Sequence, residues 1–172
     1  MCIRDRYFTS WHENGQKKSE SNFKDGKEDG LYTSWLDNGQ KEQELNYKDG
    51  KLDGLTTSWY ENGQKKSEKN FEDGKLDGLS TKRNENGQKA VEANLKDGKL
   101  DGISAMWYEN GQKKAKVNWK DGKPLSIESW KPNGDLCPLT YVKDGNGIAV
   151  SYNEDGSEDE RETFKDGNKV KD

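Results

Sequence analysis

The chain has 172 residues, 27% hydrophobic and 36% charged, with a mean hydropathy of −1.37. A chain this polar borders on disorder and excludes a compact globule with a large aliphatic core. A net charge of −4 and a pI near 5.3 argue against nucleic-acid binding, which needs positive potential facing the phosphates.

The first six residues, Met1-Cys-Ile-Arg-Asp-Arg6, follow no pattern found elsewhere in the chain. They read as an unrelated leader joined in mid-repeat, with the native start expected elsewhere. From Tyr7 onward the sequence repeats every 24 residues. Asn-Gly glycines recur at Gly15, Gly39, Gly63, Gly87 and Gly111, and Asp-Gly glycines at Gly26, Gly50, Gly74, Gly98 and Gly122. A further series, Gly30, Gly54, Gly78 and Gly102, follows the second by four residues. Self-similarity at fixed spacing marks a repeat architecture.

Seven copies are expected, at residues 7–30, 31–54, 55–78, 79–102, 103–125, 126–147 and 148–169, with 170–172 as a tail. The third copy shows the unit plainly. Two short runs, Leu55 to Trp59 and Lys65 to Phe71, are separated by Glu-Asn-Gly and closed by Glu-Asp-Gly. Such dipeptides between alternating runs signal β-hairpins. The first run places Leu55, Thr57 and Trp59 on one face, because strand side chains alternate. The second run carries its own odd-numbered series, in which Phe71 aligns with Phe23, Tyr47, Leu95 and Trp119.

Parity selects the turn. A three-residue loop over Glu61, Asn62 and Gly63 pairs Trp59 with Lys65 and Thr57 with Ser67, keeping both series together. The expected turn is therefore type I followed by a left-handed glycine, and Lys-Asp-Gly is expected to repeat it at the opposite rim. No stretch has a helical period. The fold class predicted is all-β: an elongated single-layer antiparallel meander of stacked hairpins, essentially without helix. Each unit buries its apolar side mainly against its neighbours, so the six Trp and the 10% aromatic content suffice for a thin core. The last two copies are degenerate. Trp130 and Tyr152 hold the Trp position and Val142 and Phe164 the second aromatic slot, whereas Glu160 and Glu162 replace Ala115 and Val117. That polar last unit reads as a cap.

Nothing in the chain predicts catalysis, a cofactor or a metal site. The single histidine, His12, stands in the slot of Leu36, Tyr60 and Tyr108 and reads as structural. Cys2 and Cys137 form neither a Cys-x-x-Cys site nor a disulfide framework. Carboxylates such as Asp73 and Asp77 share a rim, but the calcium-loop pattern is incomplete and Lys75 intervenes, so they read as turn chemistry. At the other rim Lys17, Lys41, Lys65, Lys89 and Lys113 recur, with Glu13, Glu61, Glu85 and Glu109 expected to dilute them.

The strongest candidate surface is aromatic. Trp11, Trp35, Trp59 and Trp107, broken at Arg83, are expected to share one face with Phe23, Tyr47, Phe71 and Trp119. These residues are either the core or a partner-binding surface, since one sheet has no second layer to cover them. The expected function is a non-enzymatic scaffold that binds a protein through this face. The alternative is a cell-surface module contacting glycan, envelope polymer or anionic lipid, and the compartment, cytoplasm or cell envelope, stays open.

The motif Trp59-Tyr60-Glu61-Asn62-Gly63-Gln64-Lys65, followed by Asn70-Phe71-Glu72-Asp73-Gly74-Lys75-Leu76-Asp77-Gly78, resembles the MORN repeat variant. That variant occurs in bacterial proteins that include the YwqK-like antitoxin family. The resemblance spans nearly the whole chain and implies stacked β-hairpins serving as a scaffold, with an antitoxin-like role among the functions it suggests.

Overall fold

The computed structural model describes residues 6–170, so the leader assignment of residues 1–5 and the expectation for Cys2 lie outside it. Arg6 itself opens the first strand opposite Phe23. Seventeen strands form an open antiparallel meander, and no helix occurs among the described residues. This is the all-β repeat architecture that the turn spacing predicts.

The strands fall into two compact units that meet in sequence at Gly87 and Gln88. The first holds β1 (Arg6–Trp11), β2 (Lys17–Lys24), β3 (Lys27–Glu28), β4 (Gly30–Trp35), β5 (Lys41–Lys48), β6 (Lys51–Leu52), β7 (Gly54–Trp59), β8 (Lys65–Glu72) and β9 (Lys75–Arg83). The second holds β10 (Lys89–Lys96), β11 (Lys99–Trp107), β12 (Lys113–Lys120), β13 (Lys123–Ser129), β14 (Tyr141–Lys143), β15 (Asn146–Tyr152), β16 (Glu158–Lys165) and β17 (Asn168–Val170).

At the Asn-Gly rim the three-residue loop is present. The Gly63 amide donates to Tyr60 O and the Tyr60 amide to Gln64 O, both at 2.9 Å, and Gly63 has φ 81°. The Asp-Gly rim differs from expectation. Glu72 pairs directly with Lys75, and Asp73 (φ 49°) and Gly74 (φ 82°) both lie in the left-handed region. This is a two-residue type I′ turn, whose twist matches that of the flanking strands. Aspartate tolerates the conformation because its side chain is short and polar. A neighbour also holds it there, since Asp53 Oδ2 accepts the Asp73 amide at 3.3 Å.

The register corrects a second expectation. Trp59 does pair with Lys65, but Ser58 pairs with Ser67 and Thr57 with Glu68. Lys66 is an extra residue, a bulge opposite Trp59, and the same irregularity recurs at Trp11, Trp35 and Trp107. One inserted residue reverses the facing of everything beyond it. Phe71 therefore lies opposite Gly54, and Trp119 opposite Gly102. Since directly paired residues share a face, the two aromatic series occupy opposite sides of the sheet. We call these sides the Trp face and the Phe face.

The interiors of the two units differ. Every buried residue described in the first unit carries a hydroxyl: Ser21, Thr33, Ser34, Thr56, Thr57 and Thr81. Half-buried hydroxyls such as Ser58 Oγ and Ser67 Oγ, 2.8 Å apart, satisfy one another. The second unit buries Ala93, Tyr108, Ala115, Val117, Cys137, Val142, Val150, Tyr152 and Phe164. The degenerate copies thus hold the densest apolar packing, although Glu160 stays exposed as a cap residue would.

Within that core Tyr152 Oη lies 3.2 Å from Cys137 Sγ. Its hydrogen bond to Cys137, together with burial, pushes the Tyr152 phenol up to about 12. Burial pushes the Cys137 thiol up, but hydrogen bonds from Tyr152, Thr140 and two backbone amides outweigh it and lower the thiol pKa. Folding therefore favours the protonated phenol. Its contribution to stability is complete below the unfolded tyrosine pKa of about 10 and is lost as pH rises through about 12. Denaturant titrations across that window are expected to show a smaller loss for Tyr152→Phe than for the parent chain.

Candidate functional site

The Trp face is built as a ladder in which each lysine serves the following repeat. The Nζ atoms of Lys17, Lys41 and Lys89 stand 5.7, 5.8 and 5.7 Å from the ring centres of Trp35, Trp59 and Trp107. Lys113 stands 5.2 Å from Trp130. A cation over an indole face is attracted by the ring quadrupole, by about 0.5–1 kcal/mol at an exposed site. Lys17, Lys41 and Lys89, together with Lys65 of the same row, reach carboxylates three residues on, in the pairs Lys17–Glu20, Lys41–Glu44, Lys65–Glu68 and Lys89–Glu92. The neutralising groups are thus strand glutamates and not the turn glutamates expected. The Glu20 hydrogen bond raises the Lys17 pKa, and the same contact lowers that of Glu20.

Arg83 breaks the ladder. It takes the Trp slot of the fourth copy and turns its Nη1 to Gly87 O at 3.2 Å. Trp35, Trp59 and Trp107 are covered by cations that are themselves paired with carboxylates, whereas Trp11 on β1 is 60% exposed. A row of aliphatics, Leu31, Leu55 and Leu79, lies on this face at 43–45% exposure.

Both rims are consumed by structure. His12 Nε2 donates to Trp35 O at 2.8 Å, and the hydroxyls of Tyr60 and Tyr108 donate to Arg83 O and Trp130 O at 2.7 Å. This slot staples a turn to the backbone of the next repeat, so His12 is a structural residue. The rim aspartates act likewise: Asp29, Asp53 and Asp101 accept the amides of Asp49, Asp73 and Asp121. Their oxygens serve the turns.

The Phe face is different. Phe23, Tyr47 and Phe71 are half-buried along the first unit. In the second unit, Trp119 is fixed by its indole N–H, which donates to Ser104 Oγ at 2.7 Å. Beside it opens a cavity of about 230 Å³ walled by Met106, Ala115, Val117, Trp119, Ile127 and Phe164. Lys114, Glu160 and Glu162 stand around this cavity, and Lys169 pairs with both glutamates. A larger cleft of about 530 Å³ lies on the first unit, where Leu36, Trp59 and Tyr60 are mixed with Glu42, Glu61, Asn62, Lys66 and Glu85. The smaller cavity is the more apolar of the two, with most of its wall formed by hydrophobic side chains.

The eight aromatics expected on a single face are therefore split. In the first unit Trp11, Trp35 and Trp59 lie on the side opposite Phe23, Tyr47 and Phe71, and in the second Trp107 lies on the side opposite Trp119. Sequence reasoning missed Met106, Ile127 and the Ser104 anchor. The available signal was the change from Ser58 to Met106 and from Lys69 to Val117 in equivalent slots.

No curated protein matches the chain. The MORN repeat variant matches at residues 7–25, 28–49, 52–73 and 100–121. These stretches fall on the hairpin units just described, and the likeness to YwqK-like proteins gains no separate support. The geometry and the match agree that the chain is a repeat scaffold and a member of the MORN repeat variant family.

Proposed function

We propose that the chain is a non-enzymatic scaffold that binds a protein partner through the Phe face of its second unit. The carrying observation is the apolar cavity beside Trp119, walled by Met106, Ala115, Val117, Ile127 and Phe164. At about 230 Å³ it falls below the roughly 300–1,000 Å³ typical of small-molecule sites, and it suits a single aliphatic or aromatic side chain. A tryptophan held by its own hydrogen bond is pre-ordered for contact, which lowers the entropy lost on binding. The Trp face lacks this character, because lysines already cover its rings. An antitoxin-like role, in which a harmful protein is held by its surface, needs nothing from this chain beyond such a contact.

The test begins with affinity capture by the full chain, identification of the bound protein, and titration of the purified pair. Trp119→Ala is expected to weaken binding by at least about tenfold, the scale of an interface hot spot. Trp35→Ala, on the opposite face, is expected to bind as the parent does. The reverse order, or equal losses for both variants, would refute the assignment.

A further inference from the structure

Six turns, at Asn14, Asn38, Asn62, Asn86, Asn110 and Asn133, place an asparagine directly before a glycine, the pairing in which a backbone nitrogen most readily attacks a side-chain amide. We propose that Asn38 and Asn133 are deamidation sites of the folded chain, and that Asn14, Asn62 and Asn110 are shielded by the following repeat. Two features are common to the turns of these five asparagines and so cannot separate them. The side-chain oxygen accepts the backbone amide two residues on, at 2.9–3.0 Å. The glycine amide donates to the carbonyl three residues back at 2.9 Å.

The side-chain nitrogen is where the turns divide. Asn14, Asn62 and Asn110 donate to Asp37 O, Glu85 O and Pro132 O at 2.6, 2.8 and 2.8 Å, all in the next turn. Among the described residues Asn38 donates to Gln40 Oε1 at 3.3 Å, and Asn133 to Asp135 Oδ2 at 2.8 Å, each within its own turn. Reaction requires the side chain to rotate until its Cγ faces the glycine nitrogen. For Asn62 that rotation breaks a bond to a neighbouring repeat. For Asn38 it disturbs one exposed turn.

The chemistry needs only solvent. Hydroxide removes the Gly39 amide proton, and the nitrogen attacks Asn38 Cγ. The bond from Cγ to Nδ2 breaks, and that nitrogen leaves as ammonia. Water then opens the resulting succinimide at either carbonyl, giving aspartate or isoaspartate. The turn between β4 and β5 gains a carboxylate and, in the isoaspartate form, a methylene in its backbone.

Incubating the folded full chain at mildly alkaline pH, followed by acidic proteolysis and peptide mass spectrometry, tests the proposal. Asn38 and Asn133 are expected to convert about two- to tenfold faster than Asn14, Asn62 and Asn110, the factor that one such hydrogen bond carries. In guanidinium chloride Asn14, Asn38, Asn62 and Asn110, which all precede Gly-Gln, are expected to convert at matched rates. Gln40→Ala is expected to speed Asn38 alone. Equal native rates for Asn38 and Asn62, or a rate order that survives unfolding, would overturn the proposal.

Discussion

Gly147→Ala is expected to be the most damaging small substitution in the chain, lowering stability by about 2–6 kcal/mol through strain and overpacking together. Gly147 has φ 136°, and a Cβ built there would lie 1.8 Å from Tyr141 O and 3.1 Å from Val142 Cα. Those atoms are backbone, so no rotamer change relieves the overlap. Val142 pairs with Gly147 across β14 and β15, and that pairing must open to admit a methyl group. Gly98→Ala is the control. Gly98 also has a positive φ (79°), but nothing lies within 4 Å of its added Cβ, so only the backbone cost of about 1 kcal/mol applies. Because repeat arrays need not unfold in a single step, amide exchange in β14 to β16 is the suitable measurement. Equal protection in the two variants would show that the close approach is not a constraint.

Tyr108→Ala comes second. Tyr108 is 1% exposed, and its hydroxyl donates to Trp130 O at 2.7 Å, with Tyr152 O at 3.4 Å. Removing the ring leaves a cavity in the best-packed part of the chain, at about 3–5 kcal/mol. Tyr108→Phe keeps the ring but leaves the Trp130 carbonyl unpaired, which costs about 1–3 kcal/mol. Tyr60→Ala alters the same slot two repeats earlier. Tyr60 is only half-buried, with a single staple to Arg83 O at 2.7 Å, so the expected loss is distinctly smaller. Urea unfolding followed at a probe in each unit distinguishes the two, and an identical loss would contradict the burial difference.

Much of the fold was legible in residue types alone. Asn62-Gly63 and Asp73-Gly74 demand left-handed backbone and therefore punctuate the chain into strands. Their even spacing leaves room for hairpins and for no helix. The three-residue loop at Gly63 was right in length, but the parity that suggested it does not hold, because the Lys66 bulge puts the two aromatic series on opposite faces. Less legible was Asp73, whose positive φ depends partly on an acceptor from Asp53, one repeat away.

The candidate surface was legible only by composition. Recurring aromatics marked the residues of interest, but their facing turns on Lys66, one bulged residue in each hairpin. A bulge is chosen by the sum of cross-strand contacts, such as the Ser58–Ser67 hydroxyl pair and the lysine reaching the next Trp, and these contacts exist only once strands have met. The cavity beside Trp119 has the same origin, since Met106, Val117 and Phe164 come from three strands. Turn positions, strand lengths and the repeat itself are thus written locally, in backbone preferences that each residue carries alone. The assignment of faces, the lysine cover over Trp35 and Trp59, and the apolar hollow beside Trp119 arise from register and packing, which join residues that no linear count places together.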